Sequence, residues 1–107
     1  MGEMRRLTLH AIAFREEGEW IAHCLELDIV SSGPTAHAAL DSLVEALALQ
    51  LSYARDNDNF EYLFRPAPES AWRKLAEIIK GPHQTVIRPI DDRDSEPSEL
   101  LETQLAA

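Results

Sequence analysis

Leu40, Leu43, Leu47, Leu51 and Ala54 recur at helical spacing and put one apolar stripe on the stretch from Ala36 to Ala54. The spacing predicts an amphipathic helix over 36–54. Such a helix needs a flat apolar surface to cover. The residues just before it, Trp20 to Val30, read as short strands that supply one. Gly33-Pro34 ends the strands, and the Thr35 hydroxyl is placed to cap the helix by accepting from a free backbone N–H. Asp41, Ser42, Glu45 and Gln50 fall mostly off the stripe. Ala39, Ala46, Leu49 and Tyr53 widen the apolar arc, which predicts a second contact for this helix, with another copy of the chain or with a later helix.

Upstream, Leu7 to Arg15 alternates and is rich in strand formers. Leu7, Leu9, Ala11 and Ala13 share one face, and Thr8, His10, Ile12 and Phe14 share the other. Both faces carry apolar residues, so both are expected to be covered, one by the helix and the other by a second copy of the chain. Glu16-Glu17-Gly18-Glu19 predicts a hairpin turn, because Gly18 accepts the positive φ such turns need. Trp20 to Leu25 is the second strand, and a short third strand centres on Ile29 and Val30.

After the helix, Asp56-Asn57-Asp58-Asn59 is a break. Phe60 to Phe64 is expected to lie extended over the core. Pro66 and Pro68 lead into a second helix over 69–80, with Trp72, Leu75, Ala76 and Ile79 as its apolar face and Gly81-Pro82 as its stop. Gln84 to Ile90 is a last strand, and Pro89 predicts an edge position for it. From Asp91 on, Asp91, Asp92, Asp94, Glu96, Glu99 and Glu102 face only Arg93, which predicts a mobile tail. Within it, Ser98 is a possible cap for one or two helical turns carrying Leu100, Leu101 and Leu105. The expected organisation is therefore an α+β domain over 1–90 and an acidic tail over 91–107. The domain has a small antiparallel sheet of three to four strands, a long helix packed on one face, and a second helix C-terminal to it.

At 107 residues the chain has room for one modest core. No apolar run approaches the roughly 20 residues that span a bilayer. The N-terminus, MGEMRRLTLHAIAF, lacks the apolar core and cleavage site of a signal peptide. These features predict a cytoplasmic protein without membrane contact. The net charge of −9 suits a basic protein partner and opposes anionic polymers. A ribbon–helix–helix arm starting at Thr85 to Ile90 is followed by too short and too acidic a segment to bind DNA, so no direct nucleic-acid contact is expected.

The chemistry-bearing residues are sparse. His10, His23, His37 and His83 form no zinc-type spacing. His10 and His23 are expected as cross-strand neighbours, with Glu26 or Asp28 as the nearest further ligands in sequence. The simpler reading is half-buried strand histidines. Glu26 and Asp28, at i and i+2, share a face if extended. With Asp41 they are the carboxylates that a metal-dependent nuclease would use, and otherwise they are turn residues satisfying backbone groups. Cys24 is the only cysteine and reads as a small buried hydrophobe. No catalytic, cofactor or metal residue is assigned.

The span from Ala11 to about Leu51 resembles the HicB-like antitoxin family. The pattern is a hairpin with Glu17-x-x-Trp20 around Gly18, then Cys24-x-Glu26-Leu27, a segment ending at Gly33-x-Thr35, and a helix with Ala39 and Leu43-x-Glu45-Ala46-Leu47. Leu25 stands where the family usually has proline, and Ala38 where it tends to have an acidic residue. The resemblance implies a degenerate ribonuclease-H-like fold, a small antiparallel sheet with a helix on one face. It implies an antitoxin that binds and blocks HicA, a small mRNA-cleaving toxin, in a member without the family's common DNA-binding domain. It carries over no catalytic residues and no cofactor, so the chain is not expected to be an enzyme. The alternative it leaves open is a stand-alone homo-oligomer that binds a small ligand at a subunit interface.

Overall fold

A computed structural model describes residues 7–90 and 99–107 of the chain. Residues 1–6, which open the stretch read for a signal peptide, and residues 91–98, including the expected cap Ser98, lie outside the described residues. The elements run β1 (Leu7–Glu16), β2 (Glu19–Cys24), β3 (Ile29–Gly33), α1 (Ala36–Asp56), a short 3₁₀ turn (Phe60–Leu63), α2 (Glu69–Lys80), β4 (His83–Pro89) and β5 (Glu99–Ala106). The five strands form one sheet in the order β3-β2-β1-β5-β4. β1 runs parallel to β5, and the other three pairings are antiparallel.

The β1–β2 hairpin closes through two residues, Glu17 at φ 52° and Gly18 at φ 84°. Two positive φ values in a two-residue loop make a type I′ turn, whose twist matches that of the flanking strands. The next corner is tighter. A Cβ on Gly33 would lie 2.8 Å from the Ala39 nitrogen and 3.0 Å from Ala38 atoms, so only glycine lets β3 turn straight into α1. The Thr35 hydroxyl then accepts from the Ala38 N–H at 3.0 Å, as the sequence predicts for a cap. α1 extends two residues beyond its expected end, and Ala39, Leu40, Leu43, Leu47, Leu51 and Ala54 are its buried stripe.

That stripe covers Leu9 and Ala11 of β1, Ala22 and Cys24 of β2, and Leu101 of β5. The opposite face of the sheet is also covered, but by α2 of the same chain and not by a second copy. Ile12, Leu25 and Ala67 are buried there, with Phe14, Ala71, Trp72, Leu75 and Ile78 packed around them. The backbone ties this layer down: Leu25 donates to the His10 carbonyl and accepts from the Ala67 N–H. α2 sits slightly rotated from expectation. Ile78 faces the sheet, and Ile79 is 48% exposed.

Three further expectations are corrected. The sheet is mixed and has five strands, not an antiparallel set of three to four. The additional strand comes from the segment read as a mobile acidic tail with helical turns: Glu99–Ala106 is β5, inserted between β1 and β4. Over Glu99 to Gln104 its burial alternates with a period of two, Glu99, Leu101 and Thr103 buried and Leu100, Glu102 and Gln104 half-buried. Pairing on both edges gives its backbone groups partners, and Leu101 enters the core, which outweighs the acidic composition. Glu99 is tolerated there because Arg55 of α1 lies 3.0 Å away. Finally, Phe60–Leu63 is a 3₁₀ turn and not an extended segment, although Leu63 does pack against the core. The expected edge position of the Pro89 strand holds, since β4 ends the sheet. No helix among the described residues is long and apolar enough to cross a membrane.

Candidate functional site

The histidines and carboxylates singled out in the sequence resolve into separate pairs. His10 and His23 lie on the α2 side of the sheet, but offset: His23 pairs with Ile12, and the His10 carbonyl accepts from Leu25. Each ring takes its own carboxylate. Glu26 grips His10 twice, accepting from its backbone N–H at 2.7 Å and meeting ring Nδ1 at 2.6 Å. On the other side of the same ring, Nε2 lies 3.4 Å from Glu102 of β5. His23 Nε2 meets Asp28 at 2.7 Å. Glu26 therefore stitches the turn after β2 onto β1, and Asp28, at φ 55°, holds that turn's left-handed corner.

Asp41, the third carboxylate of the nuclease alternative, is not brought to this cluster. It projects from α1, on the opposite layer, and pairs with Arg88 of β4 at 2.5 Å. The Arg88 hydrogen bond holds its carboxyl below the usual carboxylate range, with the charges of Arg88 and His37 adding to it. Among the described residues, no group of three or more His, Cys, Asp or Glu side chains is arranged to hold a metal ion. Cys24 is fully buried under α1, and burial pushes its thiol up to about 12. A protonated, enclosed thiol is inert as a nucleophile.

A different surface gathers side chains suited to recognition. Leu49 and Tyr53, one helical turn apart on the outer side of α1, are 70% and 63% exposed, and Tyr62 of the 3₁₀ turn is 71% exposed. Tyr53 and Tyr62 line one hollow with Gln50, Asn59 and Leu63. Gln50, Tyr62 and Leu63 also border a second hollow, which reaches Leu27, Ile29 and Arg65. Tyr62 thus stands as a ridge between two depressions. Asp56 at the end of α1, Asp58 in the segment that joins α1 to the 3₁₀ turn, and Glu61 in the turn itself are exposed, and none is matched by a salt bridge to another described residue; the exposed Arg65 borders the second hollow. Tyrosine is among the residue types enriched at protein–protein interfaces, where a polar rim surrounds the core.

Leu49 and Tyr53 were legible as the widened arc of the helix. Tyr62 was not, because its placement depends on how the 3₁₀ turn folds back against α1. A second exposed apolar set lies elsewhere: Val30 of β3 at 53%, Ile79 of α2 at 48% and Ile87 of β4 at 60%.

No family model, no curated protein and no solved structure matches this chain.

Proposed function

We propose that this protein is a HicB-like, antitoxin-type binding protein that covers a small basic mRNA-cleaving ribonuclease of the HicA type and keeps RNA from its active site. The observation that carries this reading is the pair of exposed tyrosines, Tyr53 and Tyr62, on one hollow, with exposed Leu49 one turn away on α1 and with Asp56, Asp58 and Glu61 exposed in the adjoining segment. Carboxylates beside exposed aromatics complement a cationic protein and repel the RNA that such a protein would otherwise bind. The residues of the resemblance lend support by their placement. Glu17 and Gly18 form the hairpin turn, Glu26 clamps His10, Gly33 makes the strand-to-helix corner, and Thr35 caps the helix. The test is to mix the protein with a purified HicA-type ribonuclease and follow RNA cleavage. Cleavage should be suppressed, and Tyr53→Ala with Tyr62→Ala should weaken the complex by about tenfold or more, as expected for aromatic anchors. Undiminished cleavage at saturating protein rejects the reading.

A second reading, a homo-oligomer with its own role, is favoured by a separate observation. Val30, Ile79 and Ile87 stay exposed on the α2 side, where the short helix leaves sheet uncovered.

A further inference from the structure

The two edges of the sheet differ in a way that bears on self-association. β4 carries Arg88 and Pro89, a charge and a residue without an N–H, which are common devices for keeping an edge from pairing. β3 is Ile-Val-Ser-Ser-Gly, with no charge and no proline. No described strand lies beyond it.

The hairpin tells which groups that edge presents. Glu16 and Glu19 flank the two-residue turn, so they form a hydrogen-bonded pair, and alternate pairs down the ladder do the same. The Leu25 N–H to His10 carbonyl bond at 2.8 Å falls in this phase. Trp20, Ala22 and Cys24 must then turn their backbone groups the other way, toward Gly33, Ser31 and Ile29 of β3. It follows that Val30 and Ser32 direct their N–H and C=O groups to the open edge.

We propose that this edge pairs with the same edge of a second copy, making one ten-stranded sheet across a two-fold axis at Ser31. An antiparallel pairing about that axis sets Val30 opposite Ser32 of the second copy, and Ser32 opposite its Val30. Each such pair exchanges two backbone hydrogen bonds, so all the outward groups of Val30 and Ser32 are used. Self-pairing suits a chain of net charge −9 only where no like charges meet, and Ile29–Gly33 has none. The pairing also gives the 53% exposed Val30 a cover. An antiparallel strand pair has the symmetric, self-complementary character of a closed dimer interface. The inference rests on the self-association reading and names its interface.

The experiment is light scattering on the eluting full chain, from micromolar to several hundred micromolar, for the wild type, Ser32→Pro and Val30→Lys. Ser32→Pro removes an N–H that β2 does not use. Val30→Lys keeps the backbone and sets a cation on each side of the axis. The wild type should run at twice the 12.0 kDa chain mass. Ser32→Pro deletes two symmetry-related hydrogen bonds and should raise the dimer dissociation constant by about tenfold or more. Val30→Lys should do likewise with the far-ultraviolet circular dichroism of the folded chain retained, and it decides the matter alone if Ser32→Pro does not fold. A wild type that stays monomeric throughout overturns both the interface and the self-association reading. A dimer that survives in the folded variants overturns the interface alone.

Discussion

On one side of the sheet lies a helix of 21 residues with a continuous buried stripe, and on the other a helix of 12 residues with no buried residue of its own. The difference is one of length and of partner. α1 lies over small and branched side chains, Ala11, Ala22 and Leu9, that let it approach closely. α2 meets Ile12 and Leu25 through Trp72, Leu75 and Ile78, and part of its hold is polar: the Trp72 indole donates to the Ala67 carbonyl at 3.2 Å, and Lys74 sits 3.8 Å from the centre of the Phe14 ring. Burial of apolar area is the main stabilising term in a domain this small. The α1 side should therefore carry the stability, while the α2 side leaves Val30 and Ile87 exposed.

The largest expected effect tests that division directly. Leu47→Ala opens a cavity in the fully buried α1 layer and should cost about 2–5 kcal/mol. Leu75→Ala, at a half-buried position on α2, should cost about 1 kcal/mol. Urea unfolding of the two variants measures both. Equal losses would mean that the α2 layer is as tightly integrated as the α1 layer, and the contrast would fail.

The two layers were unequally legible in the sequence, for a physical reason. α1 announces itself because its contacts repeat every three to four residues along one continuous segment. The Gly18 turn and the Pro89 edge are equally local, each set by one residue's backbone freedom. β5 is not local. In Glu99 to Ala106, leucines at 100, 101 and 105 fit a helical turn as well as a strand, and the acidic residues argue for neither. Only the long-range pairing with β1 and β4 decides it, and that pairing has no signature within the segment. The same holds for the exposed Leu49, Tyr53 and Tyr62: Leu49 and Tyr53 follow from helix periodicity, whereas Tyr62 depends on a tertiary fold-back. The sequence suggests His10 and His23 as cross-strand neighbours with Glu26 or Asp28 nearest in sequence, but the assignment of Glu26 to His10 and of Asp28 to His23 needed the register.

A smaller effect probes how closely α1 must approach the sheet. Gly33→Ala places a methyl against the backbone at Ala38 and Ala39, where no flexible side chain can yield. The corner must open, at about 1–3 kcal/mol. The readout is again the unfolding midpoint, with α1 helicity followed by circular dichroism. A neutral Gly33→Ala would show that the α1 layer tolerates a shift at its N-terminus and is less tightly seated than its burial implies.

The smallest effect lies where the α1 layer is itself incomplete. Between α1 and the outer strand β4 a hollow remains, lined by Val44, Ala48, Ile90 and the Asp41–Arg88 pair that spans it. Here the closure is electrostatic, and its pH dependence has a definite sign. The Asp41 pKa is lowered in the folded chain, first by the Arg88 hydrogen bond, so the folded state binds that proton less readily than the unfolded state does. Stability from this group is then fully present above the unfolded carboxyl range. It is lost as pH falls through the lower, folded value. Asp41→Asn removes the linkage, so its melting temperature should lie slightly below wild type near neutrality and converge with it in acid. The shift should be small, because exposed ion pairs are screened by solvent and salt. Thermal melts of both proteins between neutral pH and pH of about 3, repeated in high salt, measure it. If the two curves stay parallel into acid, the pair contributes no proton-linked stability. The outer end of the α1 layer would then depend on its apolar contacts alone.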